Sequence, residues 1–254
     1  MGLPFMWMLV GFRFCVTGWL RGVALKIALA SASPRRRELL GRLGLDFAVH
    51  PSWVDESSRE GELPGDMASR LAREKALASY SANPAELVIA ADTIVVLDGE
   101  SLGKPSDPEQ ASSMLWRLRG REHSVITSLA LLVADRGCVM TQGATTPVYM
   151  RTYAKGEVAS YVATGDPMDK AGAYAIQHAI FSPVECLGDC YANVVGLPLC
   201  HLVRGLERLG MSVGRAPLEA CPYAVEHGGC PWSRAILQEP RQAWETSAPF
   251  GTRG

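Results

Sequence analysis

Strand-length apolar blocks and helix-length amphipathic blocks alternate along this chain. Ile27-Ala28-Leu29-Ala30 is a short apolar run that gives way to Ser31-Ala32-Ser33, after which Leu39, Leu40 and Leu43 mark one face of a helix opened by Pro34. Ser33 is placed to cap it. Phe47–His50 reads as a second short strand ending at Pro51. Met67, Leu71, Ala72 and Ala78 recur at helical spacing through Asp66–Ala82, with Lys75 four residues after Leu71 and so turned toward the covered side. Leu87–Leu97 is apolar throughout except around Asp92 and reads as a strand buried on both faces. Asp98-Gly99 is a hairpin signal that returns the chain through Glu100–Leu102 to Gly103-Lys104-Pro105, which brings Lys104 within reach of Asp92. Ser106-Asp107-Pro108-Glu109 opens a helix with Met114, Leu115 and Leu118 as its core face. Ser124–Val133 and Val139–Tyr153 alternate as strands, Glu157–Ala163 is a short helix stopped by Gly165, and Asn193 starts a final apolar helix running to Leu209.

Composition adds limits. The chain has 254 residues, 48% of them hydrophobic, enough to bury a core in one large domain or two small ones. Its formal net charge of −1 gives no support for a nucleic-acid coat or a polybasic membrane surface, so basic clusters must be judged by position. Seven scattered cysteines fit reduced thiols in a cytosol better than a disulfide framework. Residues 1–25 are apolar and aromatic but interrupted by Arg13 and Arg21, too short a run for a membrane span and wrongly charged for a signal peptide. The expectation is a leader foreign to the domain, whose true start lies near residues 23–26, with membrane anchoring as the alternative. Beyond residue 215, proline and polar residues predict a loosely ordered tail, assigned to 211–254.

Three segments carry chemistry. Arg35, Arg36 and Arg37 oppose the dipole of the helix they open, and a phosphate at that helix start would compensate them. Asp92 inside an apolar strand is costly unless paired, hydrogen-bonded or metal-bound, which marks it as functional. Asp166–Gln177 is a polar, glycine-bearing loop able to bring Asp169, Lys170 and Gln177 to a cleft. Asp55 and Glu56 alone read as a solvated loop. His123 reads as a structural histidine, and the irregular spacing of Cys221, His227 and Cys230 does not make a zinc site.

Taken together, SASPRRRELL (31–40), PSWVDE (51–56), AREKA (72–76), AADTIVVLDGESLGKP (90–105), DKAGAYAIQ (169–177) and NVVGLPL (193–199) resemble the Maf family of nucleoside triphosphate pyrophosphatases across Lys26–Leu209. The resemblance implies a domain over 26–210 with an α/β fold, a mixed bent β-sheet flanked by helices as in inosine-triphosphatase-like proteins, and an active-site cleft between two lobes. It implies hydrolysis of the α–β phosphoanhydride. Asp92 would be the general base, with Lys75 and Lys104 neutralising phosphoryl charge. Ser31 or Ser33, Arg35 and Arg36 would hold the triphosphate, with Asp169 and Lys170 at the same cleft. Glu56 and Asp92 would bind Mg2+ or Mn2+, and Thr93 and Gln177 match positions tied to substrate choice. The Asp-Lys-Ala-Gly-Ala-Tyr form with Ile176-Gln177 resembles the dTTP and UTP branch. His178 and Ser128 stand where the family commonly has glycine, and Phe181–Cys190 also departs from its pattern. The expected protein is a cytoplasmic enzyme, dimeric by family resemblance, that binds neither nucleic acid nor membrane stably and removes non-canonical nucleotides. Alternatives are a 7-methyl-GTP or purine-directed pyrophosphatase, and a non-catalytic regulator of septum formation.

Overall fold

The computed structural model describes residues 25–238 and 244–246. The leader expected over 1–25 lies outside them apart from Leu25. In chain order the elements are β1 (Ile27–Leu29), α1 (Pro34–Arg42), β2 (Ala48–Val49), α2 (Pro64–Ala82), β3 (Leu87–Leu97), β4 (Glu100–Leu102), α3 (Pro108–Leu118), β5 (Glu122–Val133), β6 (Cys138–Met150), α4 (Lys155–Ala163), β7 (Val184–Leu187), α5 (Tyr191–Val195), α6 (Leu199–Arg208), α7 (Pro217–Ala220), α8 (Pro222–His227), α9 (Ser233–Gln238) and β8 (Glu245–Thr246). Apart from the helix expected over Asn193–Leu209, the expected strands and helices are present, with ends shifted by a few residues.

The strands form one mixed sheet in the order β2-β1-β3-β5-β6-β7, with β4 on β3 and β8 on β6. β1 pairs parallel with β2 and β3, and β3, β5 and β6 are antiparallel neighbours. The Asp98-Gly99 turn has both residues at positive φ, 54° and 80°, as a two-residue hairpin with the right twist requires. Ser33 caps α1, its side chain accepting from Arg36 N, and Asp107 caps α3 in the same way through Gln110 N.

The long strands carry two halves of the molecule. Over Leu87–Ala91, one face of β3 packs with Leu39, Leu40 and Leu202 from α1 and α6. The other face carries Val88 and Ala90 against Ala72 and Ala76 of α2, small side chains that let the helix lie close to the sheet. Beyond it, Val95 and Leu97 join a separate cluster with Leu115 of α3, Val158 and Tyr161 of α4, and Tyr153. Asp92, Thr93 and Ile94 fall between these clusters. The site is therefore built where neither core claims the strand.

Two expectations need correction. The single helix from Asn193 to Leu209 is two, because Gly196 ends α5 in the left-handed region at φ 111° and Pro198 precedes α6. The stretch after 215 is not loose where it is described. Arg215 N donates to Leu43 O at 3.0 Å, and α7, α8 and α9 follow. Ala220, Cys221, Ala224, Ile236 and Trp244 are buried in the same core as α6. Proline opens α7 and α8 at a first-turn position, so its abundance there marks helix starts instead of disorder. Among the described residues no helix is long and apolar enough to cross a membrane.

Candidate active site

A cavity of about 950 Å³ lies between the two halves of the sheet. One wall is the turn from β1 into α1, where Ser31, Ser33, Arg35 and Arg36 line it. Arg36 is held from three directions. Its Nε donates to Gly196 O at 2.8 Å, one terminal nitrogen to Thr93 Oγ1 at 2.9 Å and the other to Ser31 Oγ at 3.4 Å. Burial pushes its guanidinium below its ordinary pKa, against the pull of Asp92 and Glu56. Behind Thr93 stands a buried chain: Thr93 Oγ1 pairs with Thr127 Oγ1 at 2.9 Å, Thr127 donates to Asn193 O, and Asn193 Nδ2 donates to Val125 O and Thr146 Oγ1. Arg35 reaches the same cavity, and its side chain makes no hydrogen bond among the described residues.

The opposite wall is charged. Lys75, 9% exposed, places Nζ 2.6 Å from Asp92 Oδ1 and 2.6 Å from Glu56 Oε1. Lys104 Nζ reaches the other Glu56 oxygen at 3.1 Å. Half-burial would raise the Glu56 pKa, but the hydrogen bonds and charges of Lys75 and Lys104 outweigh it and hold the carboxyl below its ordinary value. A buried carboxylate in a strand is thus paired, as its cost demands. The two carboxylates converge on the Lys75 ammonium and offer only hard oxygen donors. That set suits a magnesium-like ion completed by substrate phosphates and water, because such ions use one or two carboxylates in nucleotide sites.

The loop after α4 closes the far side. It forms two short 3-10 turns, Asp166–Asp169 and Ala171–Ala173, and exposes Gln177 at the cavity. Asp169 and Lys170 line the cavity too. Lys170 Nζ, however, is committed to the Asp166 carbonyl, to Asp166 Oδ1 at 2.9 Å and to Asp169 Oδ1 at 2.6 Å, so it shapes the loop from within. Gly172 sits at φ 67°, where a Cβ would meet Val95 at 3.0 Å. His178 and Phe181 are used structurally: Phe181 stacks on Tyr161 at 4.4 Å, and His178 meets Tyr161 edge-on while its Nδ1 accepts from Phe181 N. His123 is buried and bonds Tyr174 Oη at 2.7 Å. Trp53 on the rim is 92% exposed.

Sequence reasoning missed Thr127, Asn193 and Gly196, which hold Arg36 in place. Gly196-Leu197-Pro198 after an apolar run was a legible helix stop, but nothing in the chain says that the freed carbonyl meets an arginine 160 residues away.

Residues 26–209 match the family described as Maf-like protein. The chain belongs to that family. Among Maf-like relatives, the dTTP/UTP pyrophosphatase of Geobacter metallireducens is 46% identical over 185 residues, 73% of this chain and 96% of the relative. Those named dTTP/UTP pyrophosphatase in Geobacter sulfurreducens and Pelotomaculum thermopropionicum are 46% and 44% identical, over 97% and 98% of their own lengths. The Maf-like unit in this chain is the part that builds the cavity, from β1 to α6.

Proposed function

We propose that this chain hydrolyses dTTP and UTP to the nucleoside monophosphate and pyrophosphate, with Asp92 as general base. The observation that carries the reading is Asp92 and Glu56 sharing Lys75 at a cavity whose other wall is the arginine-bearing start of α1. Nearly full-length likeness to relatives named for dTTP and UTP supports the substrate.

The chemistry follows from the parts. Phosphoryl-type transfer needs a positioned nucleophile and a cation clamp more than a covalent intermediate. The dipole of α1 has no acidic residue in its first turn to compensate it, which leaves the triphosphate that role beside Ser31 or Ser33. Arg36, fixed by its network, contributes a set direction. Arg35, whose side chain makes no hydrogen bond among the described residues, can follow the phosphates. Asp92 takes the proton as the water oxygen bonds to phosphorus and the bridging oxygen leaves with pyrophosphate. Lys75 and Lys104 offset the charge that builds on the phosphoryl oxygens. Glu56 and Asp92 would hold a divalent cation, Mg2+ or Mn2+, which supplies further neutralisation of the phosphates. Thr93 and Gln177 are the residues nearest to a role in base choice, and clearing non-canonical pyrimidine nucleotides is the cellular task that fits.

Pyrophosphate release from dTTP, UTP, CTP, GTP and 7-methyl-GTP with either metal tests this. Preference for dTTP and UTP, with Asp92→Asn reducing turnover at least about 100-fold, is the expected result. Preference for 7-methyl-GTP overturns the substrate, and no hydrolysis by folded protein overturns the enzyme reading.

A further inference from the structure

The cavity supplies arginines and lysines for phosphates, and the base of a nucleotide needs a surface of its own. Of the described residues lining the cavity, two are aromatic, Trp53 and Tyr174. Tyr174 is 6% exposed and bonded through Oη to His123, so its ring belongs to the core cluster around Val95 and Tyr161. Trp53 is almost wholly exposed. The other described tryptophans are engaged: Trp116 tilts against Tyr153 at 6.4 Å, Trp232 against Tyr223 at 5.3 Å, and Trp244 is buried. Trp53 makes no such ring contact among the described residues. A single exposed apolar side chain is ordinary on a protein surface, but this one is an indole standing on the wall of the cavity.

The loop that carries Trp53 is pinned on both sides of it. Before it, His50 N donates to Leu29 O at 3.0 Å and Ser79 Oγ donates to His50 O at 2.9 Å. After it, Lys75 holds Glu56, and Arg70, ion-paired with Glu62 at 2.6 Å, donates to Ser57 O at 3.0 Å. The backbone is thus held while the indole faces solvent, so covering its face with a flat ligand orders little that is not already ordered. Trp53 and Glu56 are three residues apart, which keeps their Cα atoms within about 11 Å of each other. The indole is therefore tied to the wall where Glu56, Lys75 and Asp92 meet.

We propose that Trp53 is a substrate-binding residue whose indole stacks on the face of the nucleobase while the triphosphate lies between the start of α1 and Lys75. The inference rests on the chain being a nucleotide hydrolase with its phosphates at that place. Stacking buries apolar area and accepts any base, since each presents a π-face. Trp53 therefore supplies affinity, and choice among bases stays with Thr93 and Gln177. A base stacked equally in the bound substrate and in the transition state acts on KM and not on kcat.

Steady-state hydrolysis of UTP by Trp53→Ala and Trp53→Phe tests it, with inorganic tripolyphosphate as a competing inhibitor that carries phosphates and no base. Trp53→Ala is expected to raise KM for UTP about 5- to 100-fold at wild-type kcat, and Trp53→Phe, which keeps a ring, to fall between the two. The inhibition constant of tripolyphosphate should be the same in all three proteins. A Trp53→Ala protein with wild-type KM overturns the proposal. So does one in which tripolyphosphate weakens in step with UTP, since the residue would then be holding the Glu56 loop and not the base. Wild-type turnover separates the two readings: if the wild type hydrolyses UTP and Trp53→Ala matches it, only the Trp53 role falls, and if the wild type hydrolyses no nucleotide both fall.

Discussion

Lys75 shows how a single buried charge can organise a site. It stands between two carboxylates that would otherwise repel, so Lys75→Met leaves Asp92 buried and uncompensated and should cost about 3 kcal/mol in urea unfolding, along with activity. The chain hinted at this residue through helical spacing, but its two partners come from a loop and a strand. His123 makes a second prediction at this scale. Burial drives its pKa down from 6.5 to about 4, so the folded protein keeps it neutral where the unfolded chain takes up a proton. Its contribution is therefore complete above pH 6.5 and lost as pH falls toward 4, on the order of 3 kcal/mol over that window. Melting curves across pH 4–7 should be flatter for His123→Gln, which can still bond Tyr174, than for the natural chain.

At the scale of elements, the break between α5 and α6 does more than end a helix. Gly196 turns its carbonyl to Arg36 Nε, and a Cβ there would meet Thr93 Oγ1 at 3.2 Å with the backbone at φ 111°. Gly196→Ala should therefore destabilise by about 1–3 kcal/mol. Because it also disturbs the seat of Arg36, it should raise KM for the nucleotide, and chemical denaturation and steady-state kinetics read the two effects separately. The loop at 166–177 behaves alike. Its polarity was legible and its glycine was expected, yet the reason for the glycine is the branched Val95 side chain of β3 packed beneath it. The Lys170 ammonium is a further case: sequence put it in the cleft, while its three oxygen partners belong to its own loop.

Across the whole molecule, residues 211–238 and 244–246 extend the Maf-like unit instead of trailing from it. Trp244 lies against α6 so closely that a Cβ on Gly205 would sit 2.4 Å from its ring. Ending the chain after Gly210 would uncover the α6 side of the core, and the truncated protein should melt at least about 5 °C lower and bind a hydrophobic dye. Gly205→Ala should produce a smaller shift in the same direction by displacing Trp244. The sequence by itself determined the strand–turn–helix at Ser31–Arg37, the hairpin at Asp98-Gly99, the helix caps and the set of chemically informative residues, because these follow from local backbone preference and from the cost of placing a charge in an apolar run. Only the tertiary structure decided that Lys75 is shared by Glu56 and Asp92, that Thr127, Asn193 and Gly196 hold Arg36, and that the described residues after Gly210 are packed on the core. Those outcomes depend on partners far apart in the chain, and the energy of a buried charge or a small apolar face is fixed by what the fold brings to meet it.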